Sequence, residues 1–415
     1  MTDRQDDQTL SEETINVSRD SPLNGAGVAP DPAWFEQSVI EPPFARHVLT
    51  TPLHLDAAVE SRTNSWTDWS GYTVAEVYTS VEQEYDALRT RAGLSDISPL
   101  VKYRLSGREA VPYLDRLLTR AVGALTIDQT ARVVLCAGDG NIITEGMLFR
   151  LAEEEFRLIV RSSHLDWLEQ SALGFDVQVE DVSGTIAGLS LAGPSALNVL
   201  ASAGMKNPEA LGKGQAVWVQ MGGMPVYISR TGMLGGREYE LWSDPSDASV
   251  LWRRLLDVGR PQGVRPVGAA ARDIARLENG IALEGVDYQS AFTALDSAEA
   301  RSPYDLSLGR LVDLDRQVFN GRKALSVIAE EGSAHVLVGL EMNLTEGVVI
   351  GPICIGDRRV GQVKSHAWSP SLQCVVALAV IEASALGTSD GFTVETGSGD
   401  RQPVKLAKRP FLPLI

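Results

Sequence analysis

No apolar run in the chain of 415 residues approaches the roughly 20 residues a helix needs to cross a bilayer, so a membrane span is not expected. Cysteine is scarce. Cys136, Cys354 and Cys374 lie far apart, each in an apolar run, and read as buried free thiols rather than metal ligands or a disulfide framework. With no recognisable secretory leader, they fit a reducing cytoplasm. The histidines, at 47, 54, 164, 335 and 366, show no paired spacing, which disfavours a zinc or iron enzyme. No basic stripe interrupts a net charge of -17, so a nucleic-acid footprint is excluded. The G-x-x-x-x-G-K-[ST] loop, a G-x-G-x-x-G after a strand and a G-x-S-x-G elbow are all missing, which leaves nucleotide binding and serine hydrolysis without support.

What is present suits an ordinary globular protein: 44% hydrophobic residues, and length enough for two or three domains. Residues 1–45 are acidic and Gly/Pro-punctuated and read as a tail that core burial cannot order. Residues 46–330 carry mixed helix and strand patterns, and 331–415 alternate as short strands with glycine turns, a size suited to a small barrel. Val81 to Arg91 has helical spacing and stops before Gly93.

Within the middle region one pattern occurs twice. VKYRLSGREAVPYLDRLL (101–118) and GTIAGLSLAGPSALNVLASAG (184–204) share the skeleton L-x-G-x-x-A-x-x-x-L, from Leu105 to Leu114 and from Leu191 to Leu200. Each is followed by a hairpin, turning at Asp139-Gly140 or Gly222-Gly223, then a strand and a helix, the second helix closing at Gly259. Two copies of one strand, helix, hairpin, strand, helix unit give an α+β fold. Further on, a helix spans about Ala270 to Glu278, and 302–325 reads as a strand and the start of a helix near Gly321.

The candidates for chemistry are acids. Glu145 follows the first hairpin turn among Ile142, Ile143, Met147, Leu148 and Phe149, and Glu240 follows the second hairpin, in what reads as an equivalent part of the second unit. An acid among apolar residues is costly to bury unless it is paired or used. Both also read as solvent-facing strand residues. Arg272, with Arg276 at i, i+4, reads equally as half of a surface ion pair. Trp66, Trp69, Tyr72 and Tyr78 form an aromatic cluster that suits either core packing or a ligand cage.

The ordered segments AGLSDIS, DGNIITEG, LAGP, SRTG before REYELW, GAAARDIARLENGIALEG, FNGRKAL and SPSLQCVVALAVI resemble the tetrahydrofolate-dependent aminomethyltransferases, whose founder is the T-protein of glycine cleavage. The resemblance runs from about Trp69 to the C-terminus. It implies a three-domain cloverleaf around a central folate pocket, with a C-terminal β-barrel. It puts Glu145 in the place of the catalytic aspartate and Glu240 in that of the pterin-gripping glutamate. Arg272, Met233, Arg132 and Arg161 fall at the remaining folate-contacting positions, with Met233 and Arg132 where tyrosines, and Arg161 where an asparagine, would be expected. These departures point toward relatives that demethylate a small N-, O- or S-methylated substrate, walled by Trp66, Trp69 and Tyr72. Two alternatives stay open: transfer from a lipoylated partner protein, and a non-catalytic folate-binding module. The motif K-G-C-Y-x-G-Q-E of that module has no cysteine at the corresponding Val318 to Lys323.

Overall fold

The computed structural model describes residues 48–296, 299–344, 350–387, 391–397 and 399–413, and the expected tail of 1–45 lies outside them. The first unit is a five-stranded antiparallel sheet. Its spatial order is Thr130–Cys136, Ile142–Ala152, Glu155–Val160, Val101–Ser106, Gln178–Asp181. The second unit repeats the order as Ala216–Met221, Met224–Ser229, Glu238–Ser243, Ala187–Ala192. The position beside Ala187–Ala192 is then filled by Ala92–Asp96, which precedes the first unit in the chain, with Val264–Pro266 beyond it. The second unit therefore cannot complete its sheet without a strand from outside the repeat.

Each unit packs helices on one face of its sheet. Ala110–Leu117 buries Ala110, Tyr113, Leu114 and Leu117, and Ala196–Ala203 buries Ala196, Val199, Leu200 and Ala203, the same i, i+3, i+4, i+7 stripe in both. The other faces meet each other. Phe149 and Ile159 from the first sheet share one apolar cluster with Ala216, Tyr227 and Trp242 from the second. The edges are tied as well, Thr130 N donating to Gly214 O at 2.8 Å and Ala216 N to Asp128 O at 2.7 Å.

A third, seven-stranded sheet spans His335 to Ala407, and its two edge strands are Arg401–Pro403 and Lys405–Ala407. Edges that are separated in the chain only by Val404 require the sheet to curl round on itself, and a core of Leu340, Ile353, Val376-flanking Ala377, Ile381 and Val394 fills the curl. Helix Ala269–Glu278 links the second unit to the third sheet. Ala271 and Ala275 pack on Tyr85 and Leu88 of helix Val81–Thr90. At its C-terminal end Glu278, fully buried, accepts hydrogen bonds from Tyr85, Arg89 and Ser369, the last from the third sheet.

Three local expectations are corrected. Gly93 does not stop a helix: it lies in a strand, where a Cβ would meet Val267 Cγ2 at 2.5 Å. Gly259 is the last residue of helix Pro245–Gly259, with φ near -88°, and is small because Val264 packs on it; the left-handed turn comes at Gly263, φ +84°. The strand expected within 302–325 is absent. Pro303, which has no amide hydrogen for a ladder, opens a turn-rich segment with a 3-10 turn at Gly309–Leu311 before helix Arg322–Glu331.

Candidate functional site

Where the two sheets and helix Ala269–Glu278 converge there is a two-lobed cavity. The inner lobe, about 140 Å³, is lined by Arg132, Glu145, Arg161, Met233, Glu240, Arg272 and Glu284 among others. The outer lobe, about 490 Å³, shares Trp69, Arg161, Met233 and Arg272 with it and adds Tyr78, Asp96 and Arg276. Seven of the nine residues singled out from sequence thus meet at one place. Trp66 and Tyr72 do not. The Trp66 ring lies tilted at 4.9 Å from His54, its Nε1 donating to Asn64, and Tyr72, which opens the strand after the Ser70-Gly71 turn, lines neither lobe.

The two acids reach the inner lobe from different strands. Glu145 lies on the second strand of its hairpin, whereas Glu240 lies on the strand after its hairpin. Aligned through Leu105 and Leu191, the registers Arg104 to Arg157 and Ser190 to Glu240 put Arg157, not Glu145, at the first unit's counterpart of Glu240. The expected equivalence is overturned. The acids converge because the two sheets face each other, and not because the repeat copies a position.

Their surroundings differ too. Arg132 and Glu145 are diagonal neighbours on paired strands, and the guanidinium donates twice to Glu145 Oε2, from Nε at 3.0 Å and Nη2 at 2.5 Å. The carboxylate raises the arginine's pKa. Among the described residues Glu240 has no cation in contact. Its carboxylate accepts from Thr231 Oγ1, itself 2.6 Å from Ser229 Oγ, and burial beside the Glu238 carboxylate pushes its pKa up to about 7 against those hydroxyls and Arg272. Desolvation wins over hydrogen bonding here because two hydroxyls offset only part of the cost of a charge withdrawn from water.

Glu238 explains where Arg272 is spent. Two residues before Glu240 and therefore on the same face, it is 1% exposed and accepts from Arg272 Nη2 at 3.3 Å, Ser190 Oγ at 2.6 Å and Leu234 N at 2.5 Å. Gly232 allows this: its φ is +123°, and a Cβ there would run into the Glu238 carboxylate. Arg276, 2% exposed, is clamped by Asp273 at 2.7 Å and by Asp287 at 2.6 Å. Glu284 accepts from Thr144 Oγ1 at 2.6 Å and lies 3.3 Å from His164 Nε2. Sequence reading missed Glu238, Glu284 and Asp96. Strand alternation from Glu240 was a usable signal for Glu238, while Glu284 and Asp96 sit in segments with no periodicity.

A duplicated sheet unit with a curled third sheet, closing on an acid- and arginine-lined cavity, defines the architectural class, and comparison with known proteins gives the family. Residues 55–316 match the GCVT N-terminal domain, and 336–412 match the glycine cleavage T-protein C-terminal barrel domain. The chain is 31% identical over 371 residues to an aminomethyltransferase of Streptomyces avermitilis, covering 86% of this chain and 96% of that one. An aminomethyltransferase of Moorella thermoacetica is 30% identical over 351 residues, 83% and 93% of the two chains. The crystal structure of glycine cleavage system aminomethyltransferase T from Bartonella henselae superposes with a TM-score of 0.79 at 26% identity, over 88% of this chain and 99% of that one. The chain belongs to the aminomethyltransferase family typified by the glycine-cleavage T-protein. Among the described residues no helix is long and apolar enough to cross a membrane.

Proposed function

We propose that this chain is a tetrahydrofolate-dependent one-carbon transferase that demethylates a small N-, O- or S-methylated substrate. The observation that carries the reading is Glu240: a buried carboxyl that among the described residues is held by hydroxyls alone, lines the inner lobe and has its pKa pushed up to about 7. Such a group suits a partner that brings two parallel N–H donors, as the aminopyrimidinone edge of a pterin does, because charge-assisted bonds then replace the missing cation. Bound there, tetrahydrofolate would supply N5 as the nucleophile: the N5–methyl bond would form as the methyl–heteroatom bond breaks, the bonding pair leaving with the substrate's nitrogen, oxygen or sulfur, and the N5 proton would be released. Glu145, fixed in orientation by Arg132, stands in the same lobe to take that proton or to stabilise the charge that develops as the carbon transfers. Arg272 braces the Glu238 neighbour of Glu240 and so holds the grip in place. Met233, in the wall between the lobes, offers an apolar contact where a tyrosine would add a hydroxyl.

The test is to incubate the protein with tetrahydrofolate and a panel of methylated amines, ethers and sulfonium compounds and to follow methyltetrahydrofolate by mass. Transfer from one class supports the proposal. No transfer, with tight folate binding, moves the reading to a binding module. The relatives' name, aminomethyltransferase, favours a second reading, aminomethyl transfer, for which the family resemblance implies a lipoylated partner. Its signature is ammonia released when that partner, aminomethylated, is added with tetrahydrofolate.

A further inference from the structure

Four arginines line the cavity, and three are engaged: Arg132 by Glu145, Arg272 by Glu238 and Ser190, Arg276 by Asp273 and Asp287. The fourth is different. Among the described residues the Arg161 guanidinium makes no hydrogen bond or ion pair, and it lies over the Trp69 ring, 5.5 Å from the guanidinium carbon to the ring centre. It lines both lobes. Burial and the nearby Arg276 cation lower its pKa, and Glu284, Asp273 and Asp287 act on it only through space.

Arg276 supplies a second unpaired donor. Nε and Nη1 are engaged, but Nη2 is buried with no partner in a side chain 2% exposed, and Arg276 lines the outer lobe together with Arg161. Buried guanidinium N–H groups are ordinarily paired, and an unpaired one is expensive. The buried Nη2 of Arg276 and the half-buried, unpaired guanidinium of Arg161 in the wall of the same cavity, in a chain of net charge -17, make a gap that a planar anion fills with parallel hydrogen bonds.

We infer that Arg161, with Nη2 of Arg276, is a carboxylate-binding site of the cavity, set between the lobes, and that Trp69 carries the apolar body attached to that carboxylate. The inference deepens the folate reading and rests on it for the pterin's place in the inner lobe; the guanidinium pair stands on its own. Two ligands bring a carboxylate to this point: the glutamyl tail of tetrahydrofolate, leaving through the outer lobe, or the methyl donor.

The test is calorimetric binding to the full chain and to Arg161→Met, using tetrahydrofolate, the tailless 6-methyltetrahydropterin, and the pair 4-methoxybenzoate and 4-methoxybenzamide. The variant should lose roughly 10- to 100-fold in affinity for a carboxylate probe, the range expected when a charge-assisted bond is removed. A far-UV circular dichroism spectrum and a cooperative thermal unfolding transition like those of wild type show that the variant is folded. Loss confined to tetrahydrofolate assigns the carboxylate to the tail, and loss confined to methoxybenzoate assigns it to the donor. Arg161→Lys, which keeps the charge without the fork, should recover part of the loss. If both carboxylate probes bind the variant as they bind wild type, or if wild type prefers neither over its uncharged counterpart, the inference is overturned. If the tailless pterin does not bind wild type, the folate reading fails instead, and the methoxybenzoate arm decides the anion site alone.

Discussion

The two sheet units present one acid each to the same inner lobe, yet they treat it in opposite ways. In the first unit a cross-strand arginine holds Glu145 in a fixed ion pair; in the second, hydroxyls hold Glu240 next to another carboxylate, and its pKa rises to about 7. Duplication therefore copied the scaffold and left the electrostatics to individual positions. A strand face supplies the direction of a side chain, and its cross-strand and i+2 neighbours decide its charge. On the proposed function this difference separates a group that works on the reacting centre from one that grips the ring.

The sharpest way to break the comparison is Glu145→Gln. It keeps the shape and removes the charge, so methyl transfer should fall by roughly 10²- to 10⁴-fold while 6-methyltetrahydropterin affinity changes little. Steady-state turnover beside calorimetry separates the two; an equal loss in both would make Glu145 a binding group. Glu240→Ala should do the converse, weakening the pterin by roughly 10²- to 10³-fold through loss of two charge-assisted hydrogen bonds. Retained affinity would remove Glu240 from the grip.

Glu240→Gln sharpens the electrostatic half. The folded pKa of about 7 lies above the ordinary 4.5, so between those values the folded chain holds a proton that the unfolded chain has released. Stability from this group is full below pH 4.5 and lost as pH rises to about 7. The glutamine variant escapes that loss and should be more stable by on the order of 3 kcal/mol at pH 8, with no gain at pH 4, in denaturant titrations. The same sign makes pterin affinity greatest above pH 7 and weaker below it, because the gripping form is ionised. Thr231→Val has the smallest effect. Removing a hydroxyl that lowers the pKa of Glu240 should move the midpoint of that affinity profile upward by about one pH unit or less.

Much of the local structure was legible because its signals are short-range. The Asp139-Gly140 hairpin follows from a turn that needs a left-handed glycine, and Gly140 has φ +87°. The repeat was visible because both units need the same apolar stripe, from Leu105 and from Leu191, to cover one sheet face. Helix Ala269–Glu278 was legible from its spacing. Trp66 and Tyr72 were misplaced because neighbours along a hairpin need not share a cavity, and Gly93 and Gly259 were misread because a glycine required by close packing looks the same in sequence as one required by a turn.

By itself the sequence determined the elements, their duplication, the curled strand-rich C-terminal part and the types of residue available for chemistry, because periodicity, turns and composition act within a few residues. Only the tertiary structure decided which charges met. It paired Arg132 with Glu145 and Arg272 with Glu238, left Arg161 open, and brought Glu145 and Glu240 together from non-equivalent strands. Those outcomes depend on the facing of two sheets across a helix, on distances set by residues up to the length of a unit apart, and on how much water each carboxylate keeps.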